Sequence, residues 1–159
     1  LIHSRLNNNE EDILRNLIKL AGVLALVVTL STGCAVNRAS ANVDKSANLE
    51  DLKSMYVVKL PKDQRGINVL IADKLRTRGY LVTTGNNAPG GVDALVTYAD
   101  KWMWDITMYM LELTITVRDP KTEFPLAVGN SYHTSLSRKA PAEMVDEVVG
   151  NIFKEGKTK

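Results

Sequence analysis

Ile106-Thr107-Met108-Tyr109-Met110-Leu111-Glu112-Leu113-Thr114-Ile115-Thr116-Val117-Arg118 alternates residue by residue. Tyr109, Leu111, Leu113, Ile115 and Val117 fall on one side, and Met110, Glu112, Thr114, Thr116 and Arg118 on the other. A period of two with one apolar face predicts a half-buried strand of an antiparallel sheet. Asp119-Pro120-Lys121-Thr122 supplies turn formers, and a partner strand is expected from about Phe124 to Thr134. Working outward, Asp93 to Tyr98, Tyr80 to Thr83 and Met55 to Leu60 read as further strands, the last ended by Pro61. A helix opens at Asp63, with Ile67, Leu70, Ile71 and Leu75 at helical spacing and Gly79 as its stop. Pro141 begins a second helix, Pro being favoured at the first helical position, with a stripe of Met144, Val145, Val148, Val149, Ile152 and Phe153. The order β-α-β-β-β-β-α predicts an α+β two-layer sandwich: a mostly antiparallel sheet of about 4–5 strands with two helices on one face.

Upstream of this pattern the chain changes character. Leu20 to Leu30 is an apolar run preceded by Lys19 and followed by Ser31-Thr32-Gly33-Cys34, the only cysteine. The run is shorter than the roughly 20 residues that a membrane-spanning helix needs, and a basic residue, a short apolar stretch and small residues form a secretory signal. Ser31-Thr32-Gly33-Cys34 resembles the lipobox of bacterial lipoproteins, departing from it by Ser31 where Leu is usual. That resemblance implies cleavage before Cys34 and lipidation of its thiol, with a diacylglycerol and a third acyl chain such as palmitate. Ala35 in place of Asp then points to the outer membrane, facing the periplasm. The polar, acidic Asn7-Asn8-Asn9-Glu10-Glu11-Asp12 is atypical for a signal and suggests that the true start lies elsewhere. The resulting division is residues 1–33 as signal peptide, 34–52 as lipidated cysteine and flexible tether, and 53–159 as the globular domain. Ala35 to Ala47, small and polar without periodicity, carries the tether reading.

Of the 20 Lys+Arg and 18 Asp+Glu, three of each precede Cys34, leaving 17 against 15. So even a balance gives no reason to expect nucleic acid, which calls for a clustered basic face. Catalytic patterns are equally scarce. Ser131 and His133 share a strand face, but Gly-x-Ser-x-Gly is missing and no acid is placed by the sequence, so a hydrolase is not expected. His133 is expected at the sheet surface. Asp93, Asp100, Asp105 and Glu112 fit no metal-ligand spacing and read as solvated strand ends. Gly85 to Gly91 leads into a strand, whereas a phosphate cradle needs a helix amino terminus. No metal, cofactor or catalytic group is expected, and Arg138-Lys139 reads as a solvated pair.

The unusual segment is Lys101 to Met110, which holds both tryptophans and three of the five methionines. Aromatics and Met are enriched where surfaces bind partners or apolar ligands. Trp102, Trp104, Met108 and Met110 are the candidate partner-binding surface.

Several segments together resemble a family: Leu52 to Val58, Leu75-Arg76-Thr77-Arg78-Gly79-Tyr80, Val92 to Tyr98, and Leu113 to Thr122. Their layout is similar to small uncharacterised envelope lipoproteins of Gram-negative bacteria that carry a conserved domain of unknown function. It is more distantly similar to α/β assembly domains such as the amino-terminal domain of TolB. The resemblance implies a non-catalytic binding or assembly domain, anchored to the membrane through lipid on Cys34 and meeting an envelope protein partner. The alternative is an accessory lipoprotein carrying lipid or a small apolar ligand for a transport system.

Overall fold

The structure is a computed structural model that describes residues 15–21 and 37–156. The chain divides into two compact units, Leu1–Cys34 and Ala35–Lys159. In the first, residues 15–21 are helical and exposed. Cys34 and most of the signal reading lie outside the described residues. No described helix is long and apolar enough to cross a membrane.

The second unit is built on six strands: β1 Asn37–Val43, β2 Ser54–Val58, β3 Leu81–Gly85, β4 Ala94–Trp104, β5 Met108–Arg118 and β6 Pro125–His133. Two helices, α1 Ile67–Arg76 and α2 Pro141–Glu155, pack on them, with short 3-10 turns at Leu49–Asp51 and Ser135–Ser137. The strands form one sheet in the order β1-β6-β5-β4-β2-β3. β1 with β6, β6 with β5 and β5 with β4 pair antiparallel, whereas β2 is parallel to both β3 and β4.

This overturns the expected sheet. It has six strands, not 4–5, and it is mixed. Three helical segments are described, counting residues 15–21. The added strand, β1, comes from residues read as tether. Its side chains are exposed over most of its length, so an edge strand of Asn, Ala and Ser leaves no apolar alternation to detect. The parallel pairs were hidden for a different reason. Met55, Tyr56 and Val57 are buried consecutively, and a continuous apolar run says that a strand is covered on both sides without giving its partner's direction.

α2 begins at Pro141 as its signal indicates, whereas α1 begins at Ile67, four residues after Asp63, where the helix was expected to open. Asp63 organises the start of α1: its carboxylate accepts the N–H groups of Arg65 (2.9 Å), Gly66 (2.8 Å) and Asn68 (3.1 Å). Those donors would otherwise go unpaired at a helix start. Gly66 sits at φ 71°, a left-handed conformation that Gly adopts without penalty. At α2, Glu143 accepts the Ala140 N–H at 2.7 Å ahead of Pro141. Ile67, Ile71 and Leu75 of α1 meet Met144, Val148, Val149 and Ile152 of α2 over Val57, Val96, Leu113, Ile115 and Val117 of the sheet, in one buried core.

α2 approaches β6 most closely at Gly129, where a Cβ would lie 2.7 Å from Val148 Cγ1 and 2.8 Å from Ile152 Cγ1. Gly129→Ala is therefore expected to lower stability by about 1–3 kcal/mol through overpacking. At Gly150, inside α2, a Cβ meets nothing nearer than Arg78 Nη2 at 3.9 Å, and Gly150→Ala is expected to stabilise by roughly 0.5–1 kcal/mol. Thermal melts of the two variants should move Tm in opposite directions; a neutral Gly129→Ala would mean that α2 has slack on the sheet.

Candidate functional site

The segment singled out by its tryptophans is the far end of the β4–β5 hairpin. Pairing runs in register from Leu95↔Arg118 to Lys101↔Glu112, then shifts so that Trp102 faces Met110 and Trp104 faces Met108. Leu111 is left without an opposite residue, as in a β-bulge. The alternation expected across Ile106–Arg118 therefore inverts at Leu111. Leu113, Ile115 and Val117 face the core as read, but Met110, assigned to the other face, is 1 % exposed.

The bulge lines up Met110, Trp102, Met108 and Trp104 along one face that leaves the core and runs into solvent. They do not make one surface. Met110 is core. Trp102 is half-buried; its indole N–H donates to Asp100 Oδ2 at 2.6 Å, and the Arg65 guanidinium lies 4.1 Å from its ring centroid. Trp104 and Met108 are 71 % and 46 % exposed. They continue at the tip with Ile106 at 86 % and Met103 at 44 %, neither of them among the four residues chosen from sequence.

The tip is short and braced. Trp104 and Met108 close a loop of Asp105, Ile106 and Thr107, in which the Asp105 N–H reaches Thr107 O (3.2 Å) and the Ile106 N–H reaches Asp105 Oδ1 (2.7 Å). Arg138 ties it down. Its guanidinium donates to Thr107 Oγ1 at 2.7 Å, lies 3.4 Å from Asp105 Oδ2 and stands 4.7 Å from the Tyr109 ring centroid, while its Nε holds Ser135 O at 2.9 Å. Arg138 is thus a structural clamp rather than a solvated residue.

A second polar centre joins Ser131 and His133 on β6 to Glu147 on α2. The Ser131 hydroxyl donates to Glu147 Oε2 at 2.6 Å, and His133 Nε2 lies 2.8 Å from the same oxygen. Lys139 Nζ reaches Oε1 at 2.7 Å. His133 is 2 % exposed, against its expected place at the sheet surface, because Ala127, Gly129, Ser131 and His133 all point under α2. The acid that sequence could not place is Glu147, brought from 14 residues beyond His133 by helix packing. Its geometry is not that of a nucleophile and base. The serine hydroxyl donates to the carboxylate and not to the imidazole, so the three do not form a serine–histidine–acid relay. Burial works to raise the Glu147 pKa, but Lys139, Ser131 and His133 together pull it down to about 2.

A third centre sits beneath the hairpin. The Tyr98 hydroxyl donates to Asp63 Oδ2 at 2.7 Å and accepts the Leu60 N–H at 3.2 Å. Burial opposes ionisation of Asp63, yet Tyr98 and the helix-start N–H groups hold its carboxyl below the usual carboxylate range. Leu60, Pro61, Asp63, Arg65, Asp100 and Trp102 line a cleft of about 430 Å³ here. The acidic residues weighed as ligands are dispersed. Asp93 accepts the N–H groups of Lys53 and Ser54, Asp100 holds Trp102, Asp105 meets Arg138, and Glu112 takes the Asn130 amide.

No protein-family model matches the sequence, and no curated protein matches it. Solved structures similar in fold include the PelC dodecamer from Paraburkholderia phytofirmans in two crystal forms. One is 14 % identical with a TM-score of 0.53, the other 11 % identical with a TM-score of 0.52, each covering 77 % of this chain and 98 % of that one. At such identity the likeness concerns the fold alone. A minor lipoprotein from Acinetobacter baumannii also matches, at 14 % identity and a TM-score of 0.33, over 65 % of this chain and 90 % of that one.

The depressed Glu147 pKa sets a sign for stability against pH. An acid with a folded pKa near 2 and an ordinary value of 4.5 stabilises fully above the ordinary value, and loses that contribution as pH falls through the folded one. The Tm gap between wild type and Glu147→Gln is expected to be widest at pH 6 and to close as pH drops below 4. A gap independent of pH would show that the charge on Glu147 does not matter.

Proposed function

We propose that this chain is a lipid-anchored lipoprotein of the bacterial cell envelope, whose α+β unit is a non-catalytic binding or assembly domain. The leader pattern and Cys34 supply the address: outer membrane, periplasmic face. The observation that carries the rest is the hairpin tip. Met103, Trp104, Ile106 and Met108 are large apolar side chains held exposed on a braced element, Trp104 and Met108 on one face and Met103 on the other, and exposed apolar surface concentrated at one tip marks a contact surface. Of the four residues drawn from sequence, Trp104 and Met108 make that contact, while Trp102 and Met110 root the hairpin. The Ser131, His133 and Glu147 cluster fits a structural role, since every hydrogen bond among them converges on one carboxylate. That PelC, alike in fold, is solved as a dodecamer favours self-association as one form of assembly.

The cleft beside Trp102 favours a second reading, carriage of a small apolar ligand between Leu60, Pro61 and the indole. Mass spectrometry of the full-length protein, extracted gently from its own membranes, separates the two. A lipid-modified Cys34 with a stoichiometric protein partner or a defined homo-oligomer is the expected result. A lipid-modified monomer carrying free lipid would favour the carrier, and an unmodified Cys34 would overturn the anchor.

A further inference from the structure

We infer that the tip of the β4–β5 hairpin inserts into the surface of the same bilayer that holds the lipid on Cys34. The inference deepens the proposed function by naming what the tip meets, and it rests on the lipid-anchor reading of Cys34.

Asn37, the first residue of β1, pairs with His133, the last of β6, and Tyr132 pairs with Glu112 of β5. Chain entry and hairpin tip therefore lie at the same end of the sheet. Met108 pairs with Trp104, three ladder steps beyond Glu112 and two beyond the level of Asn37, so it projects past Asn37 by about 7 Å at ~3.3 Å per residue, with residues 105–107 further out. Cys34 precedes Asn37 by three residues, a length of chain that reaches at most about 11 Å. A lipid on Cys34 would keep Asn37 within about that distance of its bilayer, a gap that the tip is long enough to bridge. Across the sheet, β1 and β5 are two strand spacings apart, about 10 Å.

The chemistry of the tip suits that place. Tryptophan is favoured at the membrane interface, where its apolar body and polar N–H both find a match, and Ile106, Met103 and Met108 add an apolar edge. Polar backbone groups are costly in the apolar layer, and the tip already pairs two of its N–H groups internally, Asp105 to Thr107 O and Ile106 to Asp105 Oδ1. Its one acid, Asp105, faces Arg138. Arg38 near the start of β1 and Lys101, opposite Glu112, also stand at this end of the sheet, where cations favour anionic headgroups. Insertion is shallow, reaching the boundary between headgroups and acyl chains, because only a few residues stand clear of the domain.

The test uses the full-length protein, wild type and Trp104→Phe, reconstituted in phosphatidylethanolamine and phosphatidylglycerol vesicles whose acyl chains are brominated, with tryptophan emission as the readout. Trp104 is so exposed that the substitution leaves the fold intact, and Trp102 remains as an internal reference under Arg65. Wild type is expected to be quenched up to about twofold, the Trp104 share of the emission from an interfacial indole, and the variant to be unquenched. The mass of Cys34 is read on the same preparation. A lipid-modified Cys34 with no quenching overturns the insertion and leaves the anchor standing. Equal quenching in both proteins overturns the assignment to the tip. An unmodified Cys34 removes the anchor, and the insertion with it.

Discussion

An antiparallel pair of eleven-residue strands, β4 with β5, is the element on which the rest of this domain depends. Its lower half gives the core Ala94, Val96 and Tyr98 from one strand and Leu113, Ile115 and Val117 from the other. Its edges recruit everything else: β4 takes the parallel β2, and β5 takes β6 and through it β1. The extra residue at Leu111 then changes which side chains face the core. Without that slip Met110 would point away from the helices, and Trp102 and Trp104 would lack their partners across the hairpin. A local irregularity of one residue thus decides both how the core is closed and what the hairpin displays.

Charged groups inside the fold act as joints between elements. Asp63 connects a loop, the start of α1 and Tyr98 of β4 through one carboxylate. Glu147 connects α2 to two residues of β6 and to Lys139. In each case burial opposes the charge and several donors outweigh it, the condition under which a partly buried carboxylate stays ionised. Such joints fix the angle of a helix on a sheet, which apolar contacts alone specify loosely. They also occupy the polar residues that most invite a catalytic reading.

Much of this architecture was legible, and the illegible parts have definite causes. The stripe Ile67, Ile71 and Leu75, the Pro141 start of α2 and the turn at Asp119 to Thr122 were all readable, because each signal is local. Asp119 Oδ1 accepts the N–H groups of Lys121 and Thr122, the kind of short-range bond that turn residues make wherever they occur. β1 was not readable, since an edge strand of small polar residues has no apolar face. The bulge at Leu111 was not readable either: Met110 and Leu111 are both apolar, and either fits the alternation until a partner strand chooses. The tryptophans pointed to the hairpin, but which of its side chains stand exposed was not readable: Met110 is buried and Trp102 half-buried, while Ile106 and Met103 are exposed beside Trp104 and Met108.

The sequence by itself determined the two domain helices, the positions of most strands and the presence of an aromatic, Met-rich segment. Those properties depend on neighbours within a few residues, where propensity, capping and periodicity act. Only the tertiary structure decided the mixed order of the sheet, the recruitment of residues 37–43, the meeting of Ser131 and His133 with Glu147, and the division of the tryptophan segment into root and tip. Each of these turns on which distant residue lies opposite. That choice is made by the packing of α2 against Gly129 and by the pairing of β4 with β5, which no short window of sequence contains.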